Sequence, residues 1–159
     1  MKMELRNTKL ADQKQLDETY MGTALLHAKL SKARRAQVGA VLVTSHGVTL
    51  TGYNGTPTGR SNDCEVLVKT SLPYLFEDTL VTKPEVIHAE LNCIMKAARE
   101  GVSCIGATVY VTLSPCIQCS AMLVQAGVKR VVYKQQYRDD SGVELLKSCG
   151  ILVQSYDEL

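Results

Sequence analysis

The chain has 159 residues, a length that suits one domain spanning 1–159, with a core that needs no disulfide staples. Lys and Arg outnumber Asp and Glu by 18 to 16, for a net charge of +2. The basic residues form no long run or one-sided stripe, which argues against a dedicated nucleic-acid binder. No apolar stretch approaches the ~20 residues that span a bilayer, so no membrane association is expected. The opening MKMELRNTKL has no apolar signal core, and the six cysteines are expected to be free thiols in a reducing, cytoplasmic setting.

In chain order, residues from about Leu10 to Lys32 carry Leu16, Tyr20, Leu26 and Leu30 with no interrupting proline, and read as one amphipathic helix over a sheet face. Val38 to Val43 and Val48 to Tyr53 are short β-rich runs joined by Ser45-His46-Gly47, an antiparallel hairpin. Asn54 to Gly59 holds two glycines and a proline and reads as an irregular loop. Arg60 to Pro84 gives mixed signals and reads as mostly loop with a short helix. Beyond it the pattern is regular. A helix from about His88 is stopped by Gly101, a strand runs Ala107 to Leu113, and a helix from Pro115 is stopped by Gly127. A strand Val128 to Tyr133, a helix around Asp140 to Cys149 and a strand Ile151 to Gln154 follow. Alternating strands and helices imply right-handed crossovers and a partly parallel sheet, which the opening hairpin makes mixed. The expected fold class is α/β, a three-layer α/β/α domain with a mixed sheet of about five strands.

The chemistry concentrates in His88-Ala89-Glu90 and Pro115-Cys116-Ile117-Gln118-Cys119. One imidazole and two thiols at this spacing leave a tetrahedral zinc with an open position, and Glu90 is a carboxylate that ligation does not need. Ser114 as N-cap and Pro115 as first helical residue would set both thiols in the first turn of a helix, where backbone N–H groups and the helix dipole favour thiolate. His88 and Glu90 likewise begin their helix. Zinc brings the pKa of a bound water to about 7, and one carboxylate can carry its proton to the substrate, the role expected of Glu90. The same cysteines and histidine are compatible with a closed structural zinc, or with thiols packed in a core. Against both stands Glu90, for which a structural site has no use. Cys93, Cys104 and Cys149 read as small core hydrophobes, His27 and His46 as a helix-surface and a turn residue. Asp139-Asp140 reads as a helix N-terminus.

H-x-E with P-C-x-x-C is the signature of zinc deaminases of nucleobases. With GYNGTPTG (Gly52 to Gly59), HAELN (His88 to Asn92), LSPCIQC (Leu113 to Cys119) and QAGVKRVVY (Gln125 to Tyr133), the chain resembles the deoxycytidylate (dCMP) deaminase family from about Arg35 to Val153. The resemblance implies a cytidine-deaminase-like fold, one catalytic Zn²⁺ on His88, Cys116 and Cys119, and hydrolysis of dCMP to dUMP and ammonia for thymidylate synthesis. It implies that Asn54 hydrogen-bonds the deoxyribose, and that Arg35 and Tyr137 contact the phosphate. The backbone near Ala89, Ser114 and Pro115 would frame the base. For Arg35 a solvated helix-end charge is the alternative, and for Tyr137 a core or interface position. The resemblance further implies a homohexamer, activated by dCTP and inhibited by dTTP with Mg²⁺ on the triphosphate. The loop residues Asn54, Gly55, Thr56 and Gly59 are candidates for an effector pocket, or form a surface turn. Cys64 alone between His46 and His88 offers too few donors for a second, structural zinc. The rivals are a zinc deaminase of cytidine, guanine or tRNA adenosine, and a non-catalytic nucleotide-binding regulator.

Overall fold

The computed structural model describes residues 2–72 and 75–159. Helix α1 (Lys2–Ala28) leads into β1 (Gly39–Val43) and β2 (Thr49–Tyr53), then β3 (Glu65–Leu72) and β4 (Leu75–Thr82). Helix α2 (Ala89–Arg99), β5 (Thr108–Leu113), α3 (Ile117–Gln125), β6 (Arg130–Gln135), α4 (Ser141–Ser148) and β7 (Leu152–Ser155) follow, closed by a 3₁₀ turn, Tyr156–Glu158. Five strands form one sheet in the order β2-β1-β5-β6-β7. β1 runs antiparallel to β2 and β5, whereas β5, β6 and β7 are mutually parallel, so the sheet is mixed as expected.

Strand β1 shows why the sheet's middle reads as an unbroken apolar run. All five of its residues are buried, because helices cover both faces. Ala40 and Leu42 point into a core shared with Val109, Val111, Val131, Leu123 and Leu146 and with Ala89, Cys93 and Ala97 of α2. Val41 and Val43 point the other way, to Met21 and Ala24 of α1, Tyr110 and Val132. Each fully buried aliphatic side chain contributes about 1.5–3 kcal/mol, and the period of two in β1 splits that gain between both layers. Among the described residues no helix is long and apolar enough to cross a membrane.

Two expectations are corrected. Within Arg60 to Pro84, read as mostly loop with a short helix, Glu65–Leu72 and Leu75–Thr82 form an antiparallel two-stranded ribbon in which Glu65 pairs with Thr82 and Leu67 with Leu80. The ribbon stands apart from the main sheet, with Val66, Leu67, Val68 and Val81 exposed, so it shows neither the half-buried alternation nor the buried run that marks a sheet strand. Cys149, read as a core thiol, is exposed at the end of α4, whereas Cys93 and Cys104 are buried as expected.

Candidate active site

Two glycines let the site's helices come close. A Cβ on Gly52 would lie 2.4 Å from the Ala89 carbonyl oxygen and 2.9 Å from Cys93 Sγ, so only glycine lets α2 lie directly on β2. A Cβ on Gly142 would lie 2.1 Å from the Pro115 carbonyl oxygen, so α4 rests on the backbone that carries Cys116. The GYNG loop braces the same region. Gly55 and Ile87 exchange backbone hydrogen bonds of 3.0 and 2.8 Å, which fixes the residue before His88. The Asn92 amide adds a bond of 3.0 Å to the Tyr53 carbonyl at the end of β2.

His88 and Cys116 are the N-cap residues of α2 and α3, both with extended backbone. The expected cap at Ser114 is therefore two residues early. Ser114 N–H donates 2.8 Å to the Gln135 carbonyl, prolonging the parallel β5–β6 ladder, and its hydroxyl accepts the Tyr137 N–H at 2.7 Å. With Ser114 spent on the sheet, the helix opens at Cys116, and Cys119 lies in its first turn.

His88 Nδ1 lies 3.5 Å from Cys116 Sγ and 3.3 Å from Cys119 Sγ, and the three donor atoms all lie within 4.8 Å of one another. For a tetrahedral zinc with Zn–S about 2.3 Å and Zn–N about 2.0–2.1 Å, the nitrogen-to-sulfur separation is about 3.5 Å. The donor set therefore fits zinc in both chemistry and spacing. Hydrogen bonds from Cys119 and from His88 pull the Cys116 thiol down to about 3, so one thiolate is already favoured. Cys119 is pushed up, by Cys116 first and then by burial, and His88 is raised by its hydrogen bond with Cys116. Glu90, the second helical residue past the cap, is buried, and its carboxyl is raised above the usual range chiefly by burial.

All of these groups but Cys119 open onto a cavity of about 300 Å³. His88, Ala89, Glu90, Ser114 and Cys116 line it, and so do Arg35, Asn54 and Tyr137, so all but one of the expected substrate residues share this wall. Pro115 is the exception, fully buried behind it. One acceptor site and one N–H of the Asn54 amide hold backbone, which among the described residues leaves its second N–H and second lone pair free on the cavity side. Its Oδ1 accepts the Val38 N–H at 2.8 Å and its Nδ2 donates to the Ala36 carbonyl at 2.9 Å, which shapes the segment after Arg35. Arg35 is exposed and donates from Nη1 to Thr82 Oγ1 at 2.9 Å. In the candidate effector loop, Thr56 Oγ1 is buried with no hydrogen-bond partner among the described residues, and Gly59 has φ of 90°.

Sequence reasoning missed Glu65, Thr82 and Arg138, which also line the cavity. Glu65 and Thr82 face each other at the root of the β3–β4 ribbon. Two eight-residue runs rich in Val, Leu and Thr, split at Pro73, were the available signal. Arg138 followed Tyr137 directly, and its guanidinium carbon lies 5.8 Å from that ring's centroid.

Residues 14–135 match the cytidine and deoxycytidylate deaminase zinc-binding region. The chain is 37% identical over 123 residues to the deoxycytidylate deaminase of Mycobacterium phage D29, covering 76% of this chain and 94% of that one. It is 40% identical over 126 residues to human deoxycytidylate deaminase, covering 78% and 67%. Among solved structures it is similar to dCMP deaminase from cyanophage S-TIM5 in complex with dCMP and dUMP. That match has a TM-score of 0.76 and 38% identity over 89% of this chain and 96% of that one. The chain belongs to the cytidine and deoxycytidylate deaminase family, whose members are zinc-binding hydrolytic deaminases.

Proposed function

We propose that the protein catalyses zinc-dependent hydrolysis of dCMP to dUMP and ammonia, supplying dUMP for thymidylate synthesis. The observation that carries this reading is one cavity whose wall holds His88, Cys116 and Glu90 together with Arg35, Arg138 and Tyr137. The first three suit a hydrolytic attack and the arginines a dianionic phosphate, for which a guanidinium offers a bidentate fork. A nucleoside monophosphate needs both.

His88 Nδ1 and the Cys116 and Cys119 sulfurs would hold the zinc, which would supply a Lewis acid able to bring the pKa of a water to about 7. Glu90 takes a proton from the attacking water and delivers it to ring N3 as oxygen bonds to C4. The remaining hydroxyl proton then passes through the same carboxylate to the exocyclic nitrogen. The C4–N bond breaks, ammonia leaves, and a carbonyl remains at C4. Burial of Glu90 fits this task, because a raised carboxyl accepts and releases protons closer to neutrality than an exposed one. Ala89 and Ser114 border the reacting ring, with Pro115 behind them.

The reading extends to activation by dCTP and inhibition by dTTP, each carried with Mg²⁺, in a cytoplasmic homohexamer of single-domain chains. The unpartnered Thr56 hydroxyl and open Gly59, beside Asn54 and Gly55, support an effector role for this loop. Ammonia release from dCMP, cytidine, deoxycytidine and dCTP by zinc-loaded protein, with and without dCTP or dTTP plus Mg²⁺, tests both parts. Selective turnover of dCMP, raised by dCTP and cut by dTTP, is expected. Activity on none of the four overturns the substrate assignment.

A further inference from the structure

Glu65 is buried at the first position of β3, in the cavity wall, and only one of its two carboxylate oxygens is used. Oε1 accepts the backbone N–H groups of Arg34 and Arg35 at 3.0 and 3.2 Å. Oε2 is buried and has no hydrogen-bond partner among the described residues. Its nearest cation is the exposed Arg34, whose Nε stands 3.8 Å away, beyond hydrogen-bond reach. An unused buried carboxylate oxygen is costly to leave unpaired. It marks a place where a ligand supplies a donor.

Tyr137 and Arg138 also line the cavity and suit the phosphate, and several other polar groups of the wall already hold protein partners. Asn54 holds Val38 and Ala36, the Ser114 hydroxyl accepts from Tyr137, and Thr82 Oγ1 accepts from Arg35. Glu90 is needed at the reacting ring. A 2′-deoxycytidine 5′-monophosphate with a dianionic phosphate offers two donor groups in all, the 4-amino group, which must lie at Glu90, and the 3′-hydroxyl. We propose that Glu65 Oε2 accepts a hydrogen bond from the sugar 3′-hydroxyl. Glu65 is then a specificity residue. It also ties sugar to phosphate recognition, since its other oxygen fixes the backbone of Arg35. This inference rests on the nucleotide-deaminase reading above.

The test compares kcat/KM for dCMP and for 2′,3′-dideoxycytidine monophosphate in the wild type and in Glu65→Ala. A hydroxyl bonded to a carboxylate predicts a wild-type preference for dCMP of about tenfold or more, falling to within about threefold of unity in Glu65→Ala. Any loss from a loosened Arg35 strikes both substrates alike and cancels in the ratio. Should Glu65→Ala fail to fold, Glu65→Gln keeps an acceptor for the two backbone N–H groups, and its neutral amide lowers the preference severalfold. A wild-type preference near unity overturns the proposal, as does a preference that survives in the variants while both rates drop. Wild-type protein that deaminates neither nucleotide fails the functional reading itself, and this inference with it.

Discussion

The stretch from His88 to Cys119 and the ribbon from Glu65 to Thr82 wall the same cavity by different physical means. In the first, each contributor stands at the start of a helix seated on the main sheet, His88 and Cys116 as caps and Glu90 and Cys119 within the first turn. Gly52 and Gly142 let the neighbouring elements press against that backbone. In the second, the contributors are the first residue of one strand and the last of its partner, brought together by pairing alone. The proposed reading puts chemistry on the part clamped by the core, and recognition on the part held by its own ladder and by Arg34 and Arg35. Damage to the first region should abolish turnover, and damage to the second should shift KM and selectivity.

The largest effect is expected from Cys116→Ala, which removes one of three donors lying within 4.8 Å of one another. Zinc content by elemental analysis and dCMP turnover should both be lost, with the fold retained by circular dichroism. Full zinc with normal turnover would remove the site from this helix start. Glu90→Gln comes next. It keeps the donor set intact, so zinc content should stay at one per chain while kcat falls about 10²–10⁴-fold, the range of positioned acid–base catalysis. Near-normal kcat in a zinc-loaded variant would end the proton-shuttle role.

Arg35→Ala tests the ribbon side. Arg35 reaches Thr82 through its guanidinium and Glu65 through its backbone N–H, so the side-chain loss leaves the second contact standing. A charge-assisted contact of about 1.5–3 kcal/mol predicts a KM for dCMP raised about 10–150-fold with a smaller change in kcat. The effect should be absent with deoxycytidine, which has no phosphate. A drop in kcat alone would place Arg35 with the chemical group and erase the division between the two regions.

That division also tracks what could be read from the amino acids. The helix starts announced themselves through residue chemistry at short spacing, His-x-Glu and Pro-Cys-x-x-Cys, which no tertiary detail is needed to interpret. Even there the cap was placed two residues early, because the demand of the β5–β6 ladder on Ser114 comes from Gln135, a residue distant in sequence. Strands β1, β2, β5, β6 and β7 showed apolar runs because they are covered on one or both faces. The ribbon carried Val-, Leu- and Thr-rich runs too, but it is exposed and outside the main sheet and shows no burial pattern, so Glu65 and Thr82 went unseen. Asn54 carries the opposite lesson. Its motif marks it for the substrate wall, which it lines, and its amide also bonds residues 36–38, a fact of folding that sequence does not display.

The smallest expected effect on activity comes from α1, far from either stretch in function. Asp17, almost fully buried, takes both Arg130 Nη groups at 2.7 and 2.8 Å and the Tyr110 hydroxyl at 2.7 Å, joining α1 to β5 and β6. Asp17→Asn breaks a buried pair, a change that costs about 3–5 kcal/mol and should lower the melting temperature by roughly 6–20 °C in a chain of this length. The KM and kcat for dCMP at 25 °C should not move, because no cavity residue touches this network. Burial alone would raise the Asp17 carboxyl, but the hydrogen bonds from Arg130, Tyr110 and Gln13 outweigh it and hold the folded value below 3.8. Its contribution is therefore fully present above pH 3.8 and lost as pH falls through that lowered value. The gap in melting temperature between wild type and Asp17→Asn should accordingly stay constant near neutrality and narrow in acid. A gap that widened in acid would mean that Asp17 is held protonated in the fold, and that α1 is fastened by something other than this ion pair.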